Sequence, residues 1–99
     1  MAVVLTLKWP GYTKQQYDQL LELADWENEP ARNGIFHVVW WDGDTMGIVD
    51  VWESQQDWQN FFDERLSPHF AAVGVTSQPD AHFHEVHRYF NTQADHAAT

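Results

Sequence analysis

Phe36–Ser54, FHVVWWDGDTMGIVDVWES, decides the fold. Two β-branched and aromatic runs flank Asp42-Gly43, a dipeptide that favours a tight hairpin because glycine accepts the positive φ such turns require. Two titratable residues, His37 and Asp50, stand among the apolar ones. With Asp42-Gly43 as a two-residue turn, Trp41 faces Asp44 and His37 faces Ile48. Asp50 is then one diagonal step from His37 on the same side, roughly 7–8 Å away at the backbone. Ile35, Val39, Met46 and Trp52 share that side. Phe36, Val38, Trp40, Val49 and Val51 share the other, which is wholly apolar and suits packed helices. His37 and Asp50 are therefore expected to point away from the helices.

Upstream, Ala2–Trp9 is an apolar strand closed by Pro10-Gly11. Thr13 then opens a helix, with Gln16 in the capping-box position and Tyr17, Leu20, Leu21 and Ala24 along one face. Asn28–Asn33 reads as a loop, Gly34–Trp41 as the second strand and Asp44–Glu53 as the third. Downstream, Ser54 caps a second helix with Asp57 in its capping box and Trp58, Phe61, Phe62 and Leu66 as its apolar stripe. Pro68 interrupts it, and Ser67 is placed to cap a short piece through Val73. After the loop Gly74–Pro79, Asp80–Phe90 is a fourth strand. The order β-α-β-β-α-β is an α+β, ferredoxin-like arrangement: an antiparallel sheet with both helices on one face. A single domain is expected over residues 1–90, with 91–99 a flexible C-terminal tail.

Because helices cover only one side of such a sheet, the apolar residues on its other side need a cover, and a second copy of the chain is the simplest. A homodimer packed sheet to sheet is expected, with His37 and Asp50 in the cavity between the two sheets. Trp41, Met46 and Trp52 would line that cavity. In the fourth strand, HFHEVHRYF, alternation puts Phe83, Glu85, His87 and Tyr89 on one face. Val86 and Phe90 fall on the other, as the helix-facing pair. His87 and Tyr89 then join His37 in the cavity. His82 and His84 share a face but His87 does not, so a three-histidine metal site would need a bulge.

Of the 99 residues 43% are hydrophobic and 15% aromatic, with six tryptophans, an aromatic load that points to a pocket or an interface as well as a core. The formal charge of −10 argues against nucleic acid or an anionic membrane as partner. Without cysteine there is no disulfide, thiolate metal site or cysteine nucleophile. No run is long enough to span a membrane and MAVVLTLKWP lacks a basic start, so a cytoplasmic protein is expected.

Several segments together resemble a known superfamily: IFHV, Ile48–Ser54 (IVDVWES), the Phe61-Phe62 pair, SPHF and the terminal VHRYF. The chain is similar to the dimeric α+β barrel proteins, and most similar to the small antibiotic-biosynthesis-monooxygenase-like ones. The likeness spans most of residues 1–90. Haem-degrading members carry a helical tryptophan where Phe61 stands here, and the spacing to His69 departs from their ligand pattern. The monooxygenase members share Trp52 and His69, whereas their strand-one asparagine has no counterpart in VVLTLKW.

The resemblance implies a cofactor-independent enzyme of the monooxygenase type acting on an aromatic or polyketide-like molecule. His37 would be the general base and Asp50 the carboxylate that fixes its tautomer and stabilises its charged form, since imidazole titrates near neutrality. His87 or Tyr89 would supply a second proton donor, and Trp41, Trp52, Met46, Tyr89 and His69 would contact the substrate. No metal and no cofactor is expected. The alternative is a non-catalytic dimeric module that binds a small hydrophobic molecule, with His37 and Asp50 merely satisfying each other's polarity. A haem or metal site built from the histidines is the third reading.

Overall fold

The computed structural model describes residues 1–90; the expected tail, residues 91–99, lies outside them. Four strands form one antiparallel sheet: β1 (Val3–Pro10), β2 (Gly34–Asp42), β3 (Thr45–Trp52) and β4 (Asp80–Glu85), in the order β2-β3-β1-β4. Helix α1 (Lys14–Ala24) crosses from β1 to β2, and α2 (Gln55–Phe61) follows β3. The Thr13 hydroxyl accepts from Gln16 N while the Gln16 side chain accepts from Thr13 N, the reciprocal cap that the sequence predicts. Ser54 and Asp57 start α2 in a related way, Ser54 Oγ accepting from Asp57 N and donating to its carboxylate.

Helix α2 does not simply break at Pro68. It widens first into a π turn, Phe62–Leu66, in which Ser67 N donates five residues back to Phe62 O. A short 3-10 turn, Ser67–His69, leads into α3 (Phe70–Val73), and the Ser67 side chain makes no cap. The wide turn keeps Phe61, Phe62, Leu66 and Phe70 all directed at the sheet, which a regular helix of that length would spread around its axis.

The sheet register corrects the hairpin. Asp42 pairs with Thr45, so the turn is Gly43-Asp44, with Gly43 at φ +60°. This one-residue shift sets His37 directly opposite Asp50 rather than diagonal to it. Ile35 is an extra residue between the Gly34–Trp52 and Phe36–Val51 pairs, a bulge at the start of β2.

The two faces are the reverse of the expectation. Leu5, Leu7, Trp9, Met46, Asp50 and Trp52 are buried beneath the helices, and His37 lies on that side with them. The open face carries Phe36, Val38 and Trp40, which are 52%, 40% and 38% exposed. Trp40, expected beneath the helices, instead lies across Gly47, where a Cβ would come within 2.4 Å of its ring. Strand β1 shows why: Leu5, Leu7 and Trp9 alternate with Thr6 and Lys8, so only the first set suits a core, and Leu5 pairs with Asp50.

Strand β4 ends at Glu85 rather than Phe90. Phe83, paired with Leu5, is its helix-facing aromatic and packs edge-on against Trp58, the role expected of Val86 and Phe90. His87 and Tyr89 lie beyond the strand and are exposed.

Candidate functional site

Asp50 is the one buried charged residue among those described, 3% exposed. A carboxylate there must have its oxygens occupied. His37 Nδ1 lies 2.5 Å from Oδ1, and Trp52 Nε1 donates to Oδ2 at 3.1 Å. An ionised carboxylate only accepts, so Nδ1 carries the hydrogen and Nε2 of the neutral ring is the acceptor. The Tyr17 hydroxyl, 2.7 Å away, donates to it. Sheet pairing thus supplies the His–Asp contact, alternation along β3 supplies Trp52 two residues on, and the α1 face supplies Tyr17.

Burial, and then the Asp50, Asp18 and Glu27 carboxylates, push the Tyr17 phenol up to about 12, so it keeps its hydrogen at neutral pH. Burial, with Tyr17 adding to it, also pushes the Tyr12 phenol well above its ordinary value.

Aromatic rings enclose the pair. Trp26, in the loop after α1, lies 4.6 Å from the imidazole and 4.7 Å from Phe61, centroid to centroid. Tyr17 meets Trp41 edge-on at 5.7 Å. Between sheet and helices is a cavity of about 40 Å³ bordered by Tyr12, Tyr17, His37, Met46, Trp58 and Phe62. That is room for roughly three water molecules. A second pocket of about 150 Å³ shares Trp26 and His37 with it and extends past Pro30 and Ile35 to Trp52. Trp26 and His37 therefore border both spaces.

Of the residues expected at the site, His37, Asp50, Met46 and Trp52 come together, but between the sheet and its own helices, not between two sheets. The hairpin residues expected beside them on that side, Val39 and Ile48, are there too. Trp41 stays in the surrounding core, its Nε1 donating to Tyr12 O. His69, half-buried in the 3-10 turn, does not border the cavity, and neither do His87 and Tyr89. His82 pairs with Asp80 at 3.0 Å on the surface. Among the described residues no group of three His, Asp or Glu side chains is placed to hold a metal ion, and no helix is long and apolar enough to cross a membrane. Tyr17 and Trp26 were not expected. The one sequence signal for Tyr17 is its place on the α1 apolar face, where the hydroxyl must find a partner in the core.

No family model matches the sequence, and no curated protein matches it. Solved structures match the fold over about nine-tenths of the chain. A candidate antibiotic biosynthesis monooxygenase from Chloroflexus aurantiacus aligns at TM-score 0.65 and 16% identity, over 92% of this chain and 98% of that one. The monooxygenase ActVA-Orf6 of Streptomyces coelicolor, solved with nanaomycin D, aligns at 0.59 and 20%, covering 91% of each. The cofactor-independent oxygenase SnoaB of Streptomyces nogalater aligns at 0.62 and 12%, covering 89% and 95%. Proteins of unknown function are among the matches too. The chain has the fold of the antibiotic-biosynthesis-monooxygenase-like proteins.

Proposed function

We propose that this chain is a cofactor-independent oxygenase for a small, electron-rich phenolic or polyketide-like molecule, with His37 as the proton acceptor and Asp50 as its partner. One observation carries the reading: an imidazole with its tautomer held by a buried carboxylate faces a cavity walled by aromatic rings. The shared fold with SnoaB and ActVA-Orf6 supports the reaction class. A phenolate reacts with dioxygen far more readily than a phenol, so the chemistry a protein must supply is proton removal in a dry site. With naphthalene-1,5-diol the balance is simple. One oxygen atom becomes the new carbonyl of 5-hydroxy-1,4-naphthoquinone. The other leaves as water, with the phenolic hydrogen and the displaced ring hydrogen. The substrate is the reductant and dioxygen the oxidant, so no further carrier of electrons is required.

The cavity is smaller than such a ring, so binding requires Trp26 to swing aside and join the inner space to the outer pocket. The test is dioxygen uptake with quinone formation from naphthalenediols. His37→Gln, whose amide can still donate to Asp50, should lose about 10²–10⁴ of the rate while remaining folded.

The second reading is a binding module without turnover. The complete pairing of Asp50 favours it, because a satisfied polar network needs no catalytic purpose. Saturable naphthalenediol binding with no dioxygen uptake would select it. In either case a homodimer closed over Phe36, Val38, Trp40, Val49 and Val51 is proposed, since these leave a continuous apolar surface on the open face.

A further inference from the structure

The hydrogen-bond chain at the site has one open end. Both Asp50 oxygens hold donors, His37 Nδ1 and Trp52 Nε1. Both ring nitrogens of His37 are engaged, one with Asp50 and the other with the Tyr17 hydroxyl. The Trp26 indole covers the imidazole at 4.6 Å. A substrate oxygen can reach Nε2 only by displacing Tyr17. Tyr17 spends its hydrogen on that bond, but its oxygen keeps a lone pair able to accept another, and the residue borders the cavity beside Tyr12. Its place is well fixed: the Thr13–Gln16 cap sets the start of α1, Tyr17 N donates to Thr13 O at 3.0 Å, and Trp41 braces the ring from the side.

We propose that the Tyr17 hydroxyl is the atom through which the site takes a proton from a phenolic substrate, with His37 as the terminal acceptor behind it. The inference rests on reading the site as a proton-transfer site. In the step, the substrate O–H bond breaks as its hydrogen bonds to the Tyr17 oxygen. The Tyr17 O–H bond breaks as its hydrogen passes to His37 Nε2. The products are a substrate phenolate, a neutral Tyr17 and an imidazolium paired with Asp50. Tyr17 never becomes a tyrosinate, a species that its burial and the neighbouring carboxylates oppose. The hydrogen it has received still points at the new oxyanion and donates to it.

Para-nitrophenol is the probe, because its phenolate is yellow and its phenol form is not. At mildly acidic pH, where the free probe is mostly protonated, the wild-type protein should bind it and turn it yellow. Tyr17→Phe keeps the ring and removes only the hydroxyl, so phenolate binding should fall about 10- to 100-fold while the circular dichroism spectrum stays that of the folded protein. Equal or tighter phenolate binding by Tyr17→Phe would mean that the ligand meets His37 directly, and would overturn the proposal. So would a wild-type protein that binds the probe only as the neutral phenol, or not at all. Should the variant fail to fold, wild-type protein labelled with ¹³C at tyrosine Cζ decides: the Tyr17 resonance must shift as the probe binds, and a static one overturns the proposal. Phenolate capture through Tyr17 without turnover of naphthalenediols would sink the oxygenase reading and leave this inference standing.

Discussion

At Asp50 a charge is tolerated in the core because each of its two oxygens is held by a donor. Removing the carboxylate and substituting it have different consequences. Asp50→Ala leaves the Trp52 indole and His37 Nδ1 without an acceptor, and should cost about 3 kcal/mol in denaturant unfolding. Asp50→Asn can be absorbed. Its amide donates to Nδ1, its carbonyl accepts from Trp52, and His37 turns to the Nε2–H form that donates to Tyr17. Stability should then stay within about 1 kcal/mol, while the base is lost; long-range ¹H–¹⁵N spectra of the imidazole would show the reversed tautomer. Tyr17 gives a pH prediction. Its phenol ionises at 10.0 in an unfolded chain and at about 12 when folded, so above pH 10 the unfolded state loses a proton the folded state keeps. Tyr17 stabilises the fold fully below pH 10, and this contribution is lost as pH rises towards 12. Melting temperatures should fall across that window, and less steeply in Tyr17→Phe. The sequence pointed to His37 and Asp50 as a pair because a sheet rarely keeps two titratable groups on one side by accident. It put Tyr17 on the apolar face of α1 but could not say what its hydroxyl would meet, which depends on the packing of α1 on the sheet.

The elements were legible where the signal is local. The Thr13–Gln16 cap and the alternating strands depend on neighbours in the chain, and they form as expected. The choice of face did not follow from alternation, which says which residues share a side but not which side the helices take. The polarity of β1 decides that, through Thr6 and Lys8 on the open side, and it outweighs the presence of His37 and Asp50 on the covered one. The helices make this affordable by bringing the Tyr17 hydroxyl to the imidazole. The loop that carries Trp26 is tied down at its start by Arg65, whose Nη2 donates to Ala24 O at 2.6 Å and which lies over the Phe61 ring at 5.0 Å. Arg65→Ala should cost about 1–2 kcal/mol. It should also speed hydrogen exchange through 25–33 more than elsewhere, because that bond closes the end of α1.

For the whole molecule, the exposed apolar face and the charge of −10 act against each other in association. Burying Trp40 and its neighbours favours a dimer; bringing two acidic bodies together opposes it until salt screens them. Sedimentation at micromolar concentration should show a dimer that tightens as salt is added. Trp40→Glu should weaken it by about 2 kcal/mol, roughly 30-fold, without changing the circular dichroism spectrum. The bulge at Ile35 bears on how such a protein diversifies. The Gly43-Asp44 turn locks the two hairpin strands together from one end, while the spare residue gives slack at the other. Insertions and deletions in 27–30, between Trp26 and the buried Ala31, can be taken up there before they reach His37. Descendants of this chain could thus exchange the rim that selects the guest while inheriting the proton-handling centre unaltered.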